Sequence, residues 1–442
     1  MITKSNEGGA TRSLKGKTMK IYWPESQGKK CSFVGYNHAI GLLAKALNGC
    51  ITSNPDEADF RIYYNIPWHH NPEELKLPGK PLIVCTMFEC TKIPSTWVKF
   101  LNKHADAILV PSQFNLDVFK MSGVKKPIKV VSLCVDQEEF SYLPIKEHEG
   151  FNFLWQGHNY DPNGRKGAAL VEKAFRELRE EGVFGEDVKL YLKYRPYEDF
   201  KVEIDRLEVE PGIIHISSTL SEDEMRELYS TIDCCINTSR GEGFGFIPLE
   251  QMAMGRPVII TDWSYPYLDL PGCFRVKYEL KKSPVIWLYK HMAFTKQHIE
   301  WNLGKGLKEI RLPNYTKRVS NGDLEFGVKG WSRSKKSVWK SIRNLLADLH
   351  EKSGFYWKPG KHKRFTLMLE KKGYDAEVDI DDLKNYMVFM YRDKEALNKK
   401  SKEISDAAIS KWGMHKMKIE FLLAIEELKR INIIRGGCDV RI

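Results

Sequence analysis

SRGEGFGFIPLEQMAMGRPVIITDWSYP, residues 239–266, decides the reading of this chain. An apolar run at 234–237 precedes it, and a second at 258–261 follows a segment with helical spacing. That order predicts strand, glycine-rich loop, helix and strand. Pro248 fits the first turn of the helix, where a missing N–H costs nothing. Gly241, Gly243 and Gly245 let the backbone approach a bound group closely. The helix start behind them offers free N–H groups and the positive end of a dipole. Glu242 lies in the loop and Glu250 about one turn into the helix. A carboxylate at the second place can accept hydrogen bonds from both hydroxyls of a ribose, and one at the first can reach a sugar hydroxyl. Between them the amides of Phe244, Gly245 and Phe246 suit a diphosphate. The spacing therefore suits a nucleotide-sugar. First-turn glutamates also arise for dipole reasons alone, so the motif needs company.

It has company. The segment resembles the donor-binding signature of family-4 retaining glycosyltransferases with the GT-B fold. There E-G-F-G-x-x-x-x-E is followed by a small residue, glycine, proline and a hydrophobic strand. Residues 221–231 (SEDEMRELYST) resemble the family's amphipathic helix before the motif strand. Residues 151–178 resemble its strand, glycine turn, basic pair and helix. Residues 107–140 resemble the end of its first domain, and 35–47 its acceptor-side glycine turn and first helix. The blocks stand in the family's order over roughly residues 18–345. The resemblance implies an α/β architecture of two Rossmann-like, doubly wound domains facing a cleft. It also implies sugar transfer with retained anomeric configuration.

Composition agrees with that scale. The chain has 442 residues, 42% of them hydrophobic, enough for two cores and a small third unit. No unbroken apolar stretch approaches a membrane span. The first 17 residues are polar and basic, which reads as a flexible tail rather than a signal peptide. Nine cysteines without CxxC spacing read as buried free thiols in a reducing compartment, hence a cytoplasmic protein.

Apolar runs alternating with helical segments predict strands near 19–23, 60–64, 81–86, 107–110 and 128–132. The pattern restarts at 152–156 and continues at 188–194, 213–216, 234–237 and 258–261. Alternation of this kind means parallel sheets covered on both faces. The expected division is a tail at 1–17, an acceptor domain at 18–145, a nucleotide-sugar domain at 146–345 and a basic, mainly helical extension at 346–442. Aromatic and basic residues interleave over 283–331 without matching the family's compact ending.

Site candidates follow strand ends. Arg165 and Lys166, before a helix, can neutralise a departing diphosphate. In the family an arginine commonly follows the glycine matched here by Gly157, whereas this chain has His158 there. Lys193 and Arg195 end another strand at the cleft rim. Glu89, after the 81–86 strand, stands where many family members carry a histidine, and a carboxylate there can orient or deprotonate an acceptor. Gly35 and Tyr36 lie on the acceptor side. The pair His69-His70 lacks further ligands at zinc spacing, and Asp379-Ile380-Asp381 reads as a helix N-cap, so no metal or cofactor is assigned.

The implied reaction is metal-independent transfer of a hexosyl or pentosyl group from a nucleotide-diphosphate sugar. In it Glu242 orients the sugar, Glu250 holds the ribose, and Arg165 and Lys166 meet the leaving charge. The acceptor is a glycan or lipid-linked saccharide, or alternatively DNA carrying a hydroxylated base. A net charge of +11 suits an anionic membrane surface or nucleic acid. The pattern over 401–435 is that of a winged helix-turn-helix, with His415, Lys416 and Lys418 near the start of its reading helix. A third reading is an inactive transferase fold serving as a binding scaffold.

Overall fold

The computed structural model describes residues 19–27, 34–67, 75–157, 165–194, 210–282 and 373–434, with the backbone of five short strands between 285 and 371. The first set of apolar runs forms β1 (Ile21–Tyr22), β2 (Ile51–Thr52), β3 (Phe60–Tyr64), β4 (Leu82–Cys85), β5 (Ala107–Val110) and β6 (Ile128–Val130). Helices α1 (Val34–Ala46), α2 (Ser95–His104) and α3 (Gln113–Met121) connect them. All pairings are parallel, in the order β2-β1-β3-β4-β5-β6. β3, β4 and β5 are buried along their whole length, as parallel strands covered on both faces must be.

The second set forms β7 (Phe151–Gly157), β8 (Val188–Tyr194), β9 (Ile213–Ile216), β10 (Cys234–Asn237), β11 (Val258–Thr261) and β12 (Cys273–Val276). Helices α4 (Ala168–Glu180), α5 (Glu222–Ser230) and α6 (Phe246–Ala253) alternate with them. The order is β12-β11-β10-β7-β8-β9, again all parallel. Winding reverses between β7 and β10 at the centre. The crevice outside the carboxyl ends of those two strands is where an open α/β sheet takes a ligand. Two doubly wound domains of this kind make the GT-B arrangement expected from the sequence.

Beyond β12 the chain departs from two plain domains. β13 (Tyr278–Lys282) leads into backbone strands β14 (Val285–Leu288), β15 (Met292–Thr295), β16 (Lys317–Arg318), β17 (Leu324–Gly327) and β18 (Thr366–Lys371). These five form an antiparallel sheet of their own. β19 (Tyr374–Val378) then returns antiparallel to β13. This ribbon reaches the first domain, where the Tyr374 amide donates to Thr91 Oγ1 at 2.9 Å.

Three helices end the described chain: α7 (Ile380–Arg392), α8 (Lys394–Trp412) and α9 (Met414–Arg430). They do not stand apart as a module. α7 packs on α4 and β12 of the second domain, α8 on α6, and α9 on α1 and β6 of the first. The apolar stripe Met417, Phe421, Ile425 and Leu428 on α9 is fully buried, so the face that fixes its position is spent on the first sheet. Lys416, placed by the sequence at the start of a reading helix, lies 4.0 Å from the Trp412 ring centroid and donates to Ser132 Oγ at 2.9 Å. Residues 431–434 form a turn where the winged pattern expects a strand.

The two passages between domains touch each other. The Val135 amide donates to the Trp412 carbonyl at 2.9 Å. Arg256, fully buried, secures the first passage: Nε and Nη2 donate to the Tyr229 carbonyl, and Nη1 to those of Leu143 and Met254, over 2.6–3.0 Å. A cation thus sits on the carbonyl ends of α5 and α6, where helix dipoles favour it. All seven cysteines of the described residues are free thiols, five of them buried. Among these residues no helix is long and apolar enough to cross a membrane.

Candidate donor-binding cleft

The switch point gathers two loops. One follows β7 and leads to α4; the other follows β10 and leads to α6. Gly167 at the start of α4 has φ 84°, and a Cβ there would collide with Thr238, so glycine alone lets the loops meet. The Trp155 indole donates to the Lys166 carbonyl at 2.9 Å, and the Arg240 amide to that of Arg165 at 2.7 Å. The basic pair is therefore anchored through its backbone, and both side chains turn toward the second loop.

There they meet Glu242. The Lys166 ammonium forms an ion pair with Glu242 Oε1, while Arg165 Nη1 donates to the Gly241 carbonyl at 2.5 Å and lies 3.6 Å from the same carboxylate oxygen. The Glu242 amide donates to Ser264 Oγ at 3.1 Å, and Ser264 itself is held in the left-handed region at φ 70°, a conformation uncommon for a residue with a Cβ. Burial works to raise the Glu242 carboxyl, but the charges of Lys166 and Arg165 outweigh it and hold it below the ordinary carboxylate range. Burial, joined by the Arg165 charge, lowers the Lys166 ammonium against the pull of Glu242 and Glu89. Arg165, Lys166 and Glu242 together carry a net positive charge, which Glu89 on the facing loop offsets in part.

The glycine loop closes against protein on both sides. A Cβ on Gly241 would collide with the Glu89 carbonyl, and one on Gly243 would stand 2.7 Å from the Met87 side chain. Asn115 Nδ2 donates to the Gly243 carbonyl at 2.7 Å. These two glycines let the domains approach, a steric demand separate from the close ligand approach expected of them. Gly245, at φ 86°, starts α6 with no side-chain cap, leaving the helix's first amides for another acceptor. Phe244 is buried among Phe246, Tyr267 and Trp412, so only its backbone faces the loop's chemistry.

On the first-domain side, Tyr36 is buried behind the loop that carries Glu89. Its hydroxyl lies 3.0 Å from Thr86 Oγ1 and donates to the Met87 carbonyl at 3.0 Å. Glu89 is half-buried and close enough to act on Lys166. Gly35 is exposed in the first turn of α1, with nothing within 4 Å of where a Cβ would stand.

Glu250 reveals a partner absent from the motif. His38 Nε2, on α1, lies 3.1 Å from Glu250 Oε1. The His38 ring also meets the Phe246 ring edge-on at 4.5 Å. The available signal was spacing: His38 falls one turn along α1 from Gly35.

Lys193 is buried, with its ammonium donating to the Tyr194 and Ser218 carbonyls, both at 2.9 Å. It ties the end of β8 to the loop after β9. Gly157 ends β7, with the Trp155 ring 3.0 Å from where a Cβ would be. His158 and Arg195 lie outside the described residues, as does the 68–70 histidine pair. The Asp379 side chain accepts from the Asp381 and Asp382 amides and caps α7.

Residues 151–272 match the family model described as Glycosyl transferases group 1. The match covers most of the second sheet, from β7 to β11. The chain is 25% identical over 196 residues to "Putative glycosyltransferase 45" of Sulfolobus islandicus filamentous virus (isolate Iceland/Hveragerdi), a match over 42% of this chain. It spans 50% of that relative's length. Among solved structures, Anabaena Alr3699/HepE in complex with UDP and glucose is 11% identical, with 93% of this chain and 100% of that one covered and a TM-score of 0.48. A point mutant of S. aureus TarM in complex with fondaparinux, alpha-GlcNAc-glycerol and UDP is likewise 11% identical, over 88% and 58% of the two chains, with a TM-score of 0.47. Arg165, Lys166, Glu242 and Glu250 all lie within the matched residues.

Proposed function

We propose that the chain is a retaining glycosyltransferase that takes a sugar from a nucleotide-diphosphate sugar, without a metal ion, and passes it to a hydroxyl of a glycan or lipid-linked saccharide. The observation that carries this is the net-positive cluster of Lys166, Arg165 and Glu242 at the switch point, beside the uncapped start of α6. A diphosphate placed there meets two cations and the positive end of a helix. Glu250, one turn along α6, then accepts from the ribose hydroxyls.

In the reaction the bond from the anomeric carbon to the β-phosphate oxygen breaks, and the acceptor oxygen bonds to the same face of the sugar. The acceptor proton passes to the departing phosphate oxygen. Arg165 and Lys166 stabilise the charge that develops on the diphosphate, while Glu242 holds both cations in place and orients the sugar. Glu89, on the facing loop, orients the incoming hydroxyl.

The helices that a DNA acceptor reading relied on are packed across both domains, and that reading loses its main support. The test is slow hydrolysis of UDP-, GDP- and ADP-glucose by the full chain, followed by NMR of the first anomer released. Release of the α-anomer from one of these donors, reduced at least tenfold in Glu250→Ala, supports the reading. No turnover and no nucleotide-sugar binding favours a scaffold.

A further inference from the structure

The pairing of His38 with Glu250 belongs neither to the motif nor to leaving-group stabilisation. His38 comes from the first domain and Glu250 from the second. The imidazole Nε2 is 3.1 Å from Oε1, and the two side chains are 30% and 14% exposed. The ring is held on a second side by Phe246, the first residue of α6. Charge surrounds it from each packed element: Glu250 on α6, and Asp136 and Glu139 on the segment joining the domains. Lys45, two α1 turns beyond, pairs with Asp136 at 2.7 Å and Glu138 at 2.5 Å, and Glu222 at the start of α5 acts on Glu139.

We propose that His38 is a donor-positioning residue, which sets the Glu250 carboxylate from across the cleft so that it can accept the ribose hydroxyls of a nucleotide-sugar. This rests on the reading of Glu250 given above. A carboxylate offers about four lone-pair sites. The His38 ion-pair contact lies on Oε1, which leaves the remaining sites for a vicinal diol. A glutamate side chain loses up to roughly 1.5–2 kcal/mol of rotamer freedom when fixed. A contact that fixes it beforehand removes that cost from donor binding.

A pH signature follows. Burial works against the imidazolium, but the close contact with Glu250 and the charges of Glu250, Glu139 and Asp136 outweigh it, so the His38 pKa is raised. The charged form attracts the carboxylate more strongly than the neutral ring does. Donor affinity is therefore greatest below the raised value and falls as pH rises through it.

The experiment is calorimetric titration of UDP-, GDP- and ADP-glucose into the full chain between about pH 6 and about pH 8.5. Nucleotide-sugars are used because their diphosphate, unlike that of free UDP, has no second ionisation in this window. Wild type should weaken several-fold across the range. His38→Ala should bind about tenfold more weakly at the acid end and lose the slope. His38→Gln, which keeps a donor but cannot titrate, should recover part of the affinity with no slope. His38→Ala binding as tightly as wild type, or keeping its slope, overturns the proposal. Tighter binding by His38→Ala does so as well, since it would make His38 a competitor of the ribose. Glu250→Gln separates the two levels: undiminished binding removes the ribose role of Glu250 itself, whereas lost binding beside a normal His38→Ala removes only the role of His38. No binding of any donor by wild type overturns the nucleotide-sugar reading beneath both.

Discussion

Lys166 and Glu242 form an ion pair across the switch point of the second sheet, one from the loop before α4 and the other from the loop after β10. The pair fixes the separation of the two loops between which a diphosphate must fit. It also holds the Glu242 carboxyl below its ordinary value, where burial alone would raise it.

Breaking the pair from one side leaves a buried charge. Lys166→Ala should cost about 3 kcal/mol in urea unfolding, in the range for removing one member of a buried pair. It should also lower turnover of the cognate nucleotide-sugar by about a hundredfold, as expected when one stabiliser of developing charge is lost. Lys166→Met, which restores packing without charge, should recover part of the stability and none of the turnover.

The depressed Glu242 pKa makes stability depend on pH. In the unfolded chain this carboxyl titrates at its ordinary value near 4.5. Its contribution is therefore full above that value and lost as pH falls through the lower folded value, because the unfolded state binds the extra proton. Urea unfolding of wild type between about pH 6 and about pH 3 should show stability falling, and Glu242→Gln should flatten part of that slope. An unchanged slope would place the ionised carboxylate elsewhere.

Arg256 holds three carbonyls of three different segments with one planar guanidinium. Arg256→Ala should cost about 3–5 kcal/mol, since several buried acceptors lose their donors at once. Arg256→Lys should recover little, because a single ammonium cannot satisfy that fork. Thermal and urea unfolding read both.

Two glycines should behave in opposite ways. Gly241→Ala drives a Cβ into the Glu89 backbone and should cost at least about 1 kcal/mol while weakening donor turnover, as the loops are pushed apart. Gly35→Ala meets open space within a helix and should gain about 0.5–1 kcal/mol. Lost turnover in Gly35→Ala at unchanged stability would identify that open space as acceptor territory.

Much of this was legible from residues alone. The alternation of apolar runs with helical segments located both sheets, because buried parallel strands are apolar on both faces. Gly157, the basic pair and the glycine loop were each expected just after a strand, whereas the reversal of winding between β7 and β10 that brings them together is a matter of strand order. Two things resisted. His38 approaches Glu250 from some 200 residues away in the chain, and no local pattern marks a contact between domains. The stripe on α9 looks the same whether it packs on a separate module or on α1 and β6, since periodicity reports which face is buried but not against what. The burial of Tyr36 behind the Glu89 loop is likewise a tertiary fact.

The most direct test of the central claim is equilibrium binding of UDP-, GDP- and ADP-glucose to wild type, Lys166→Met and Glu250→Ala. The expected result is that one donor binds wild type in the micromolar range and at least tenfold more weakly to each variant, which places its diphosphate and its ribose on the two arms of the switch-point loop and helix. Equal binding to all three proteins, or binding of none of the donors, would contradict it.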